Sequence, residues 1–110
     1  MPANAIPFID VTQAAQLWET RPDGVILLDV REPFELQLAA IAGATHIPLH
    51  TVPDQLHVLT GASQVLCLCH HGMRSAAAAQ WLIQNGVNAV NVQGGIDAWS
   101  LRVSADIARY

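Results

Sequence analysis

One stretch constrains the fold of this chain more than any other: SQVLCLCHHGMRSAAAAQW, from Ser63 to Trp81. An apolar run, Val65-Leu66-Cys67-Leu68, leads into Cys69 and a short loop, His70-His71-Gly72-Met73-Arg74. Ser75 and four alanines then open what reads as a helix. A strand that ends on a cysteine, turns over a glycine and enters a helix through Arg-Ser makes a cradle for an anion. The loop N–H groups and the unpaired N–H groups of the first helical turn all point toward the sulfur. The remaining elements are expected to hold this loop in place.

The rest of the chain alternates strands with helices. Ile6 to Ile9 is a short apolar run, and Asp10 or Thr12 is placed to cap a helix carrying Ala14, Ala15, Leu17 and Trp18. Arg21-Pro22-Asp23-Gly24 signals a turn. Val25-Ile26-Leu27-Leu28-Asp29-Val30 is continuously apolar up to Asp29, the pattern of a strand buried on both faces. Pro33 suits a helix's first position, with Phe34 to Ala40 following. His46-Ile47-Pro48-Leu49 reads as extended, and Thr51 to Leu59 as a helix with Leu56 and Leu59 inward. Val65 to Cys69 is the next buried strand, and Ser75 to Asn85 is the strongest helix, ended by Gly86. Val87 to Val92 is a last strand, Gly94-Gly95 a tight turn, and Ile96 to Leu101 a short helix. The whole reads as one α/β domain over residues 1–110, with a parallel sheet covered on both faces.

In such sheets ligands bind beyond the carboxyl ends of the strands. Three polar clusters fall there: Asp29-Val30-Arg31-Glu32, Cys69 to Ser75, and Gln93-Gly94-Gly95. Asp29, Arg31, Gly94 and Gly95 are therefore expected to border the pocket around Cys69.

Composition narrows the partners. The net charge of −4, with only five cations and no lysine, argues against nucleic acid or an anionic membrane surface. No apolar run approaches the roughly 20 residues of a membrane-spanning helix. The opening MPANAIPFID lacks a basic segment followed by an apolar core, so no signal peptide is expected. Cys67 and Cys69 cannot make an ordinary structural disulfide, because side chains along a strand point to opposite faces or stand too far apart. Reduced thiols fit a cytoplasmic setting.

A thiolate, not a thiol, is the nucleophile, and a free cysteine is only a few per cent ionised at neutral pH. Loop amides, the positive end of a helix and Arg74 all favour the anion. Gly72 can supply a positive φ or a close backbone approach. Ser75 can cap the helix or donate to the same anion. Thiol phosphatases wrap phosphate with Cys-x5-Arg, whereas Cys69 to Arg74 is Cys-x4-Arg. The tighter cup suits one extra sulfur better than a phosphoryl group. Cys67 reads as core, and the cluster Cys67, Cys69, His70 and His71 matches no usual zinc spacing.

Leu28-Asp29-Val30-Arg31-Glu32-Pro33, Cys69-x-x-Gly72-x-Arg74-Ser75 and Gly94-Gly95-Ile96-x-Ala98-Trp99 together resemble the single-domain rhodaneses, in order across nearly the whole chain. The resemblance implies a rhodanese-like three-layer fold with a central, mostly parallel five-stranded sheet. It also implies a sulfurtransferase in which Cys69 carries a persulfide. A small anionic donor such as thiosulfate would supply the sulfur. Cyanide, a thiol or a thioredoxin-like protein would accept it, with no metal or organic cofactor. His70, His71, Gly72, Met73, Arg74 and Ser75 would form the active-site loop. Partial protonation of His70 or His71 is expected to help recruit anionic donors. The chain departs from the family in carrying Ala40-Ile41-Ala42-Gly43-Ala44 where members often have His-Ile-Pro-Gly-Ala. Two rival readings remain: a phosphatase or arsenate-reductase-like enzyme on the same cradle, and a sulfur-carrier or docking module with little turnover.

Overall fold

A five-stranded parallel sheet runs through the centre of the computed structural model, which describes residues 6–110. Residues 1–5, part of the opening read above for a signal peptide, lie outside the described residues. The strands are β1 (Phe8–Ile9), β2 (Val25–Asp29), β3 (Thr45–His46), β4 (Gln64–Leu68) and β5 (Ala89–Val92). Their spatial order is β1-β5-β4-β2-β3, and every pairing is parallel. The central strand is β4, the one that delivers Cys69.

Among the described residues five α-helices join the strands: α1 (Val11–Thr20), α2 (Pro33–Leu38), α3 (Leu56–Leu59), α4 (Met73–Gln84) and α5 (Gly95–Arg102). Alternation along the strands divides the core in two. Leu28, Val65, Cys67, Cys69 and Ala89 face α4 and pack with Ala78, Ala79 and Leu82. Leu27, Leu66, Leu68, Val90 and Val92 face the other way, against Ala14, Ala15 and Trp18 of α1 and Ile96 and Trp99 of α5. Period-two alternation between two apolar layers is why the strand sequences are apolar throughout. It also puts Cys67 and Cys69 on the same face, both as free thiols.

Several local expectations hold. Asp10 caps α1 through a reciprocal pair with Gln13, its carboxylate accepting from the Gln13 N–H at 2.8 Å. Pro33 opens α2. Gly86, at φ +83°, follows the end of α4.

The segment read as one helix from Thr51 to Leu59 is different. It is a 3-10 helix over Leu49–Gln55 that passes into the single turn of α3. Pro53 lies inside the 3-10 segment and has no N–H to give an α-helical ladder. Val52 and Leu59 are the buried residues there, while Leu56 is only partly covered. The α4 helix likewise starts earlier than expected, at Met73, with Gly72 as its N-cap at φ +104°. Ser75 is therefore not a cap. It lies within the first turn and is fully buried.

The Ala40–Ala44 segment, where the chain departs from the family pattern, packs against α1. The Trp18 indole N–H donates to the Ala42 carbonyl at 3.3 Å. The Arg21 guanidinium in turn stacks over the Trp18 ring at 3.9 Å. No helix among the described residues is long and apolar enough to cross a membrane.

Candidate active site

Cys69 leaves the end of β4 and is almost wholly buried at the N-terminus of α4. Two backbone donors converge on its sulfur: the Gly72 N–H at 3.1 Å and the Ser75 N–H at 3.3 Å. The Ser75 hydroxyl is 3.2 Å from the same atom. These are orphan N–H groups of a helix start, turned onto a thiol instead of water. Gly72 makes the turn possible. Its φ of +104° disfavours an L side chain, and a Cβ there would come within 3.2 Å of the Gly94 nitrogen.

The outer side of the loop is held by α5. The N–H groups of Ile96 and Asp97 donate to the carbonyls of Cys69 at 2.9 Å and His70 at 3.1 Å. This close docking requires glycine at position 95, where a Cβ would collide with those same two carbonyls. Gly94 and Gly95 thus support the loop backbone from behind.

Arg74 makes no hydrogen bond to the Cys69 sulfur, whose partners are Gly72 and Ser75. Its guanidinium makes a two-pronged pair with Glu35 of α2, at 2.7 and 2.8 Å. The Glu35 side chain is only 6% exposed, and the Arg74 contact pulls its carboxyl down to about 2 from an ordinary 4.5. The same pairing raises the Arg74 pKa. Arg74 is a brace between α4 and α2.

Asp29 and Arg31 lie deeper still, essentially without exposure. The Arg31 guanidinium donates to both Asp29 oxygens, to the Ala39 carbonyl at 2.8 Å and to the Tyr110 hydroxyl at 2.9 Å. Burial disfavours the Arg31 charge, but the hydrogen bonds it donates to Asp29 and Tyr110 carry the net shift upward. These two residues tie the end of β2 to the Ala39 carbonyl and to Tyr110, with both charges paired to each other.

The histidine pair divides. The His70 ring stacks on Tyr110 with centroids 3.9 Å apart, and its Nε2 is buried without a hydrogen-bond partner. Burial, helped by neighbouring His71, lowers the His70 pKa. Donor recruitment through a protonated His70 is thereby disfavoured. His71 is exposed, with its Nδ1 3.9 Å from an Asp97 carboxylate oxygen. Met73 is the most exposed apolar residue of the loop.

Cys67 behaves as core. Burial pushes its thiol up to about 12, so it stays protonated and unreactive.

Three residues of the site escaped the sequence reading: Glu35, Asn91 and Tyr110. The Tyr110 hydroxyl donates to Glu35 at 2.9 Å while accepting from Arg31, which ties the two ion pairs together. Asn91 accepts from the Ser75 hydroxyl at 2.6 Å and donates to the Gly72 carbonyl at 3.1 Å. The one available signal was Asn91 itself, an amide within the apolar run Ala89-Val90-Asn91-Val92.

A cysteine at the end of the central strand, two amides on its sulfur and a glycine-paired helix behind it make a cradle of donors around one thiol. Residues 12–102 match the family described as the rhodanese-like domain. The chain belongs to the rhodanese-like family. Among curated relatives, the chain is 38% identical over 93 residues to the rhodanese-like/PpiC domain-containing protein 12 of Arabidopsis thaliana. That match covers 80% of the chain but only 31% of the plant protein. It is 32% identical over 80 residues to the thiosulfate sulfurtransferase GlpE of Pseudomonas entomophila, covering 72% of the chain and 73% of the relative. A rhodanese-like domain protein from Staphylococcus aureus superposes with a TM-score of 0.80 at 28% identity, over 96% of this chain and 99% of that one. The expected rhodanese-like α/β fold is thus the observed one. Relatives named as sulfurtransferases make sulfur transfer the activity at the level of the family.

Proposed function

We propose that this rhodanese moves a sulfane sulfur through a persulfide on Cys69. The carrying observation is the convergence of the Gly72 and Ser75 N–H groups on the Cys69 sulfur. The Cys69 thiolate attacks the outer sulfur of a donor such as thiosulfate. The S–S bond of the donor breaks, sulfite leaves with the bonding pair, and Cys69 becomes Cys69–S–S⁻. The new terminal sulfur carries the negative charge at the mouth of a helix N-terminus, where N–H dipoles stabilise it. An acceptor nucleophile, cyanide in an assay or a thiol or thioredoxin-like protein in a cell, then attacks that outer sulfur and frees the thiolate. No step calls for a cofactor.

The phosphatase or arsenate-reductase alternative is less well supported. It needs a guanidinium free to chelate the equatorial oxygens of a tetrahedral anion, and Arg74 is held by Glu35. The carrier alternative differs only in turnover. Intact mass after thiosulfate treatment, followed by a cyanide-to-thiocyanate assay, separates the readings. The wild type should gain one sulfur atom, lose it to cyanide and turn over repeatedly, and Cys69→Ser should gain none. Loading without turnover would favour the carrier. Failure of the wild type to load, or loading that survives Cys69→Ser, would overturn the persulfide.

A further inference from the structure

We propose that Asn91 is a positioning residue that controls how readily Cys69 ionises, acting through the one hydrogen of the Ser75 hydroxyl. The Gly72 carbonyl can only accept. The Asn91 group facing it at 3.1 Å is therefore the NH₂, so Oδ1 faces Ser75. The 2.6 Å contact between Ser75 Oγ and Asn91 Oδ1 must then use the hydroxyl hydrogen of Ser75. Ser75 has no second hydrogen, so it offers the Cys69 sulfur a lone pair. In the resting thiol a single chain results: Cys69 S–H to Ser75 O–H to Asn91 C=O.

Ionisation breaks this chain. Once the thiol proton leaves for solvent, the lone pair of Ser75 faces an anion. The Ser75 hydroxyl has to swing its hydrogen onto the thiolate, and the Asn91 oxygen loses its donor. A buried acceptor without a donor is costly. Asn91 and the thiolate thus compete for one hydrogen. In the persulfide, the sulfur attached to Cβ is divalent and uncharged, and the hydrogen returns to Asn91. The amide therefore favours the thiol and the loaded state over the free thiolate.

The fold puts the three groups together by register. Asn91 on β5 pairs with Cys67 on β4 and shares the face that α4 covers, directly beneath Ser75. The other titratable groups near Cys69 are Cys67 on its own strand, Arg74 of α4 paired with Glu35 of α2, and His70 and His71 in the loop. None of them touches the Ser75 hydroxyl.

The inference rests on Cys69 as the nucleophile, but its test does not require sulfur transfer. The rate of iodoacetamide alkylation at Cys69 is followed against pH, with Cys69→Ser as the blank. Asn91→Leu removes the competing acceptor. Its profile should move to lower pH by about one unit, which is roughly a tenfold faster reaction at a fixed pH below the midpoint. In a Ser75→Ala background the same substitution should move nothing. Asn91→Asp keeps the shape and offers a stronger acceptor. Its profile should move to higher pH, and by more in the wild-type background than in the Ser75→Ala one. An unmoved Asn91→Leu profile, or shifts of equal size in both backgrounds, would overturn the proposal. Should Asn91→Leu fail to fold, the Asn91→Asp comparison decides alone by the same criterion. Loss of thiosulfate loading with these shifts intact would instead count against the persulfide reading.

Discussion

At the scale of single residues, the site is governed by which charges are already engaged. Arg74 is the only arginine of the loop after Cys69, and its guanidinium is paired with Glu35. Replacing Glu35 with glutamine should leave Arg74 half-satisfied. It should destabilise the fold by on the order of 2 kcal/mol in urea titrations and slow sulfur loading by at least about tenfold. The pH dependence follows from the same pair. The Glu35 carboxyl sits near 2 in the folded protein and at 4.5 when free, so between these values the unfolded chain holds the extra proton. Stability from this pair is complete above the free value and drains away as pH falls toward 2. In Glu35→Gln that acid-side slope should shrink. A slope unchanged from the wild type would show that other carboxylates set it.

At the scale of elements, what was legible in the sequence was what is local. Cys69, Gly72 and the start of α4 lie within a few positions of one another, so strand, turn and helix signals coincide there. The Glu35–Arg74 pair spans 39 positions and the Tyr110–Arg31 contact 79, and no local pattern announces either. In the 3-10 segment apolar spacing suggests an inward helical face, while Pro53 decides which ladder can form. Gly94-Gly95 was legible as a turn, but not as the point where α5 clamps the loop. That clamp gives a test at this scale. Gly95→Ala should drive α5 away from the Cys69 and His70 carbonyls, at a cost on the order of 2–3 kcal/mol, and should blunt alkylation of Cys69. Gly61→Ala, where an added methyl meets nothing within 4 Å, should stay within about 0.5 kcal/mol of wild type.

At the scale of the whole molecule, a chain of net charge −4 presents a site whose nearby arginines are all paired. Arg31 is bound to Asp29, Arg74 to Glu35 and Arg109 to Asp97. A dianionic donor of the proposed kind would therefore meet N–H dipoles at short range, with no unpaired arginine beside them among the described residues to steer it from afar. Added salt should leave kcat/KM for thiosulfate unchanged within about twofold, or raise it by screening the net repulsion. A steep fall with ionic strength would reveal a guiding cation and contradict this electrostatic picture.

The strand order β1-β5-β4-β2-β3 has a further consequence for how the protein is made. Synthesis proceeds from the N-terminus, yet β5 fits between the first strand and β4. Until Ala89–Val92 leaves the ribosome, β1 has no neighbour in the sheet and the central strand is covered along one edge only. Asn91 arrives with that strand, the α5 clamp follows it, and Tyr110 comes later still. A nascent chain can thus carry Cys69 well before it carries the supports of the cradle. The thiol acquires its full surroundings only as synthesis of this segment closes.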